Sequence, residues 1–382
     1  ESREAYEGQP VQTPFADSPL TDILEYMTWH KRFFALLLVL LPTQLGLHFW
    51  PEWAMVLGRR IDYLSPTLYV TDVIIVFILL LWFIEHIKGF KNKKIILLGL
   101  FIGINILFAA NQPVAMYKWL KVLEFGLLGW YIVKTRPNFS FITFCLSIGI
   151  GYSSLIAIGQ FVFQHSLGGI FWWFGERTFA ADTPGIARIA WNGRELLRAY
   201  GTFPHPNVLG GYLAVTLPLL IFNFSCEAGS RSARQFSIFN QTKKFSMFKI
   251  ITIVVGTVAL FLTFSRSAWV VGALAIAVAL TKNRRAWIVA SIIMLLILLS
   301  NVSPQEESVV VRQQLNGAAL TLWQQSPLIG VGLGNFLVRL PEVLASRQIY
   351  FLQPVHNVYL LVLSEVGIVG LLLFLYVVRL GL

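Results

Sequence analysis

Apolar residues in this chain come in long unbroken stretches, not at the three-and-four spacing of a helix with one wet face. Phe33 to Leu41, Val73 to Ile84, Ile95 to Ala110, Ile250 to Phe264 and Ala286 to Leu299 are the clearest, and they approach or reach the length that crosses a bilayer. With their flanking aromatics they predict spans near Phe33–His48, Leu68–Glu85, Ile95–Ala110, Met116–Val133 and Phe141–Gln164. The series continues near Asn207–Phe224, Ile250–Phe264, Ala268–Leu280, Ala286–Ser300 and Asn357–Val378. The expected fold class is all-α, a polytopic transmembrane helix bundle of about ten spans.

Composition agrees: 56% hydrophobic and 13% charged residues in 382 give more apolar surface than one soluble core of this size buries. A formal charge of +11 raises the question of nucleic acid, but the basic residues punctuate the apolar runs and form no basic domain. Lys31-Arg32, His86 to Lys94, Lys134 with Arg136, Arg231 to Lys249 and Lys282 to Arg285 all fall on one side if the N-terminus is inside, and the positive-inside rule makes that side the cytoplasm. The chain then divides into a cytosolic tail (1–32), N-terminal transmembrane helices (33–164), a first outside loop (165–206) and central transmembrane helices (207–300). A second outside loop with an amphipathic helix (301–356) and a last span (357–382) complete it. The acidic, Pro-containing opening does not read as a signal peptide. The end at Leu382, directly after a helix, leads one to expect further sequence beyond it. Cys145 and Cys226 show no disulfide pattern.

Chemistry in such a chain is expected where polar groups are held at or just above membrane depth, because lipid-facing charge is costly. Four places qualify. Arg198 to Asn207 leads from the first outside loop into a span, with Asn207 placed to cap the next helix. Ser265-Arg266-Ser267 is a tight outside turn that pins a guanidinium at the interface, either to grip a diphosphate or simply to snorkel. Val309 to Gln325 carries Leu315, Ala318, Ala319, Leu322 and Trp323 at helical spacing, which predicts a helix lying on the outer leaflet with Arg312 near its start. Pro354 to Tyr359 opens the last span with His356 and Asn357, and Glu365 lies two turns deeper. His356 is suited to proton transfer near neutral pH or to capping the helix. The glycines of Pro327 to Phe336 follow no strand, so a nucleotide loop is rejected in favour of a tight turn.

The strings RAYGTFPHPNVLGGYL, TFSRSAW, SPLIGVGLGNF and HNVYLLVLSEVGIVGLLLF, in this order, resemble the O-antigen ligase and O-antigen polymerase family of membrane proteins. The resemblance spans roughly Arg198 to Phe374 and implies a helical fold like the transmembrane glycosyltransferases, with its active site facing the periplasm from a bacterial inner membrane. It implies a glycan donor on undecaprenyl diphosphate and a glycolipid or other glycan acceptor, with neither metal nor cofactor. By motif, Arg266, Arg312 and His356 take the catalytic roles, the arginines on the diphosphate and the histidine as base, while Arg198, Asn207, Asn357 and Glu365 are candidates for substrate binding. The function expected is lipid-linked glycan transfer by a ligase, with a polymerase as the alternative. A small-anion transporter of the bicarbonate type is the alternative from another class, kept open by Glu124 and Glu365.

Overall fold

The computed structural model describes residues 27–86, 93–191, 193–229, 243–280, 292, 307–344 and 352–381. Most of the tail and, apart from Ile292, the expected span Ala286–Ser300 lie outside these residues. The described part is mostly helical. In order it has α1 (Trp29–Leu40), β1 (Gly46–His48), β2 (Met55–Val56), β3 (Arg59–Arg60), β4 (Thr67–Tyr69), α2 (Val70–His86), α3 (Lys93–Leu107), α4 (Gln112–Thr135) and α5 (Phe139–Phe163). There follow β5 (Arg188–Trp191), β6 (Arg194–Leu197), α6 (Pro206–Gly229), α7 (Lys243–Leu262), α8 (Arg266–Leu280), α9 (Glu307–Gln325), α10 (Phe336–Val343) and α11 (Val358–Gly381).

Helix ends follow local chemistry. Asn138 starts α5 by accepting the Ser140 N–H at 2.8 Å, and Gln164 closes it in the left-handed region with its N–H on Gln160. Asn357 starts α11, its Oδ1 accepting from Tyr359 and Leu360. Among the described residues three helices are long and apolar enough to cross a membrane: Phe139–Phe163, Pro206–Asn223 and Val358–Arg379. Ile96–Leu107, Met247–Leu262 and Arg266–Val278 are apolar but shorter. The first expected span is also cut short. Its helix ends at Leu40, before Pro42, and Gly46–His48 pairs with Thr67–Tyr69 as a strand.

The chain forms two compact units, Glu1–Thr43 with Pro137–Trp287 and Gln44–Arg136 with Ile288–Leu382. In the first, α5, α6, α7 and α8 share a core of Ile150, Leu209, Leu213, Leu217, Leu220 and Ala259. Helices in lipid gain little from hiding apolar surface from one another, so close approach matters more. Gly210 provides it: a Cβ there would meet Ala268 at 2.9 Å and Ser265 at 3.1 Å. In the second unit, Val311, Leu315, Ala318, Ala319 and Leu322 of α9 are buried with Val56, Ile61, Leu64, Phe336 and Leu340. The apolar stripe expected of α9 is present, and it is covered by the protein's own β2–β3 hairpin and α10.

Candidate functional site

In the first unit the polar groups gather where α5 and α7 end and α6 and α8 begin. Gln160, buried in the last turn of α5, is the organiser. Its Oε1 accepts from the Gly201 N–H at 2.8 Å, while its amide donates to Gly201 O and to Glu176 Oε1, both at 2.8 Å. The buried Glu176 carboxylate also accepts the N–H groups of Leu167 and Gly168 at 2.8 Å each. These contacts fasten the two ends of the 165–206 segment to the helix. Neither residue stood out in the sequence, since a lone glutamine at a helix end carries no motif.

Arg198 lies on this scaffold. Its Nε donates to the Thr263 carbonyl and its Nη2 to Asn207 Oδ1, both at 2.7 Å, and the Ala199 N–H donates to Leu262 O. The guanidinium thus caps the carbonyl end of α7 and ties it to the start of α6. Burial draws its pKa below the ordinary value, as desolvation of a cation must. Arg198 and Asn207 are brought together as expected, but Asn207 does not cap α6. The helix begins one residue earlier, and the Nδ1 of His205 accepts the Asn207 N–H at 3.1 Å. His205 is the residue that sequence reasoning passed over, hidden between two prolines. Arg266 is exposed at the head of α8, just past a turn that Phe264 makes in the left-handed region. The turn holds because Thr263 Oγ1 accepts the Ser265 N–H at 3.2 Å and the Trp269 indole donates to Leu260 O at 2.9 Å.

In the second unit, Arg312 on α9 and His356 before α11 are both exposed. The histidine pKa is drawn below its ordinary value first by partial burial and then by the charge of the Arg312 guanidinium, a direction that disfavours the imidazolium.

Glu365 does something else. Its Oε1 accepts the Phe336 N–H at 3.2 Å, and its backbone carbonyl accepts from Gly332 at 2.9 Å. The 327–335 loop is laid into a break of α11 at Gly367, where φ is 67° and ψ is −170°. Val331 donates to Ser364 O and Ile368 donates to Pro327 O, both at 2.9 Å. A Cβ on Gly330 or Gly367 would run into the opposing backbone, at Glu365 and Leu328 respectively. The glycines of this run therefore permit backbone to lie against backbone, a tight turn with a specific purpose. Asn105 on α3, buried, completes the seam. Its amide donates to Ile329 O (2.8 Å) and Glu365 O (3.2 Å), and its Oδ1 accepts from the Trp119 indole (2.8 Å) and the Leu333 N–H (3.0 Å).

Among the described residues no group of three or more His, Cys, Asp or Glu is arranged to hold a metal ion. No curated protein and no solved structure matches the chain. Its apolar helices nonetheless mark it as a membrane protein. Residues 251–375 match the family model described as O-antigen ligase. Over that stretch, which holds Arg266, Arg312, His356, Asn357 and Glu365, the chain carries the pattern of the O-antigen ligase family.

Proposed function

We propose that this protein moves a glycan from an undecaprenyl-diphosphate carrier to an acceptor hydroxyl on the outer face of a bacterial inner membrane, as an O-antigen ligase does. The observation that carries the reading is the match of residues 251–375 to the O-antigen ligase family model, a stretch that holds Arg312 and His356; the charge of Arg312 draws the His356 pKa down, as a base needs. A lipid diphosphate is already a good leaving group, so the reaction asks for charge neutralisation, positioning and one base. His356 takes the acceptor's proton, and the hydroxyl oxygen attacks the sugar carbon. The bond from that carbon to the diphosphate breaks with inversion. Arg312 faces the negative charge left on the diphosphate.

Arg198 has its Nε on Thr263 and an Nη on Asn207, which supports a part in shaping the turn before Arg266. Asn357, whose Oδ1 caps α11, and Glu365, whose carboxylate accepts a backbone N–H, are likewise read as groups that position their neighbours. On this reading Arg198, Asn357 and Glu365 act one step back from substrate. A polymerase would use the same groups with another acceptor.

The test is transfer in reconstituted membranes, from a polyprenyl-diphosphate-linked oligosaccharide to a crude acceptor fraction. Wild-type transfer that disappears in His356→Ala supports the reading. Equal transfer by both removes the histidine from the mechanism, and no transfer by the wild type overturns the assignment.

A further inference from the structure

Gly169–Phe174, sequence GIFWWF, is a short 3-10 helix in the 165–206 segment, and it displays its apolar side chains outward. Ile170 is 68% exposed, Trp173 69% and Trp172 48%. The turn is nevertheless firmly held. Glu176 binds the N–H groups that lead into it, the Gly175 N–H closes it on Trp172 O at 2.9 Å, and the Thr43 hydroxyl donates to Phe174 O at 2.9 Å. The Phe174 ring packs on Tyr152 with centroids 5.2 Å apart. A rigid apolar display of this kind needs a partner, since exposed clusters are unfavourable in water.

The partner follows from what adjoins it. The turn is fastened at the end of α5, a helix apolar enough to cross a membrane, whose last residues Val162 and Phe163 are themselves exposed. The display is therefore held beside the exposed apolar end of α5. Tryptophan, with an apolar body and one N–H donor, favours the boundary between lipid and water. We propose that Trp172 and Trp173 form a wedge seated in the headgroup region of the bilayer that α5 crosses, fixing the depth of the first unit.

The wedge and the arginine turn share one hydrogen-bonded support, because Gln160 holds both Glu176 and Gly201. The seating of the wedge thus sets the height of Arg198. This inference does not depend on glycan transfer.

The test uses the full chain in proteoliposomes whose lipids carry bromine shallow or deep in the acyl chains, and compares wild type with Trp172→Phe/Trp173→Phe. The fluorescence that the variant lacks should be quenched in the wild type by shallow bromine more than by deep, and hardly by aqueous iodide. Quenching by iodide and not by lipid bromine would overturn the wedge. A signal that responds to added oligosaccharide and not to lipid bromine would also overturn it, and would make the pair a sugar-stacking platform. Trp173→Phe alone supplies the same comparison if the double variant does not reconstitute.

Discussion

At the residue scale, the surroundings of His356 disfavour its charged form. Protonating the imidazole would set a second positive charge beside Arg312 in a partly desolvated place, so both causes favour the neutral form. Arg312→Gln removes the second cause and leaves the first. The His356 pKa should then rise towards the ordinary value of 6.5 without passing it. The acid limb of any activity that needs a neutral His356 moves to higher pH in the same direction. Histidine NMR titration of the variant, with the resonance assigned by its loss in His356→Ala, reads this directly. The wild-type difference should shrink with added salt, because the pair is exposed to screening. An unshifted midpoint would mean that the two side chains do not sense each other. Of the residues singled out in the sequence, Arg312 and His356 stood out because each is a polar group close to an apolar run. Glu365 was legible as important but not as to its use, since a carboxylate that anchors a loop and one that binds substrate look the same in sequence.

At the element scale, the unusual structure is the broken helix α11 with a glycine loop laid into the break. Backbone freed from helical bonding at membrane depth is tolerated only where the protein itself satisfies it, and here Val331, Gly332 and Ile368 pair across the seam. Two predictions follow from the geometry. Gly367→Ala places a methyl group against the Leu328 backbone at a φ of 67° and should cost roughly 2–4 kcal/mol, seen as a lower melting temperature in detergent. Asn105→Leu, nearly isosteric, leaves the Ile329 carbonyl, the Leu333 N–H and the Trp119 indole N–H without this partner and takes one of two donors from the Glu365 carbonyl. It should cost at least about 3 kcal/mol. A melting curve unchanged by either substitution would show that the seam is not what holds this unit together. The same scale shows where pattern reading stops. Periodicity identified the apolar stripe of α9, but the nature of its cover depends on a hairpin more than two hundred and fifty positions earlier in the chain. Likewise Asn105 and the 327–335 loop are joined by contacts that no local window contains.

At the scale of the whole molecule, hydropathy and loop charge delivered the class, a helical membrane protein, because they average over many residues. They did not deliver the two-unit division, in which the chain leaves the first unit after Thr43 and returns at Pro137. Nor did they foresee that Arg198, Asn207 and Arg266 belong to one unit while Arg312, His356, Asn357 and Glu365 belong to the other. The division bears on the transport alternative, which rested on acids at membrane depth. Transporter sites use broken helices whose freed carbonyls face an ion. In α11 the freed carbonyls of Ser364 and Glu365 face N–H groups instead. The acids also have partners: Glu365 accepts from Phe336, and Glu124 pairs through Oε2 with Lys121 at 3.1 Å, with Lys121 contacting Asp72 as well, although the buried Glu124 Oε1 has no hydrogen bond. An ion would have to displace these partners, each at a cost of about 1–3 kcal/mol. Sealed proteoliposomes of the wild-type protein, loaded with a pH-sensitive dye and given a bicarbonate gradient, should therefore show the same flux as protein-free vesicles. Saturable flux above that background, lost in Glu365→Gln, would make the α11 break a transport site and would displace glycan transfer as the reading of this chain.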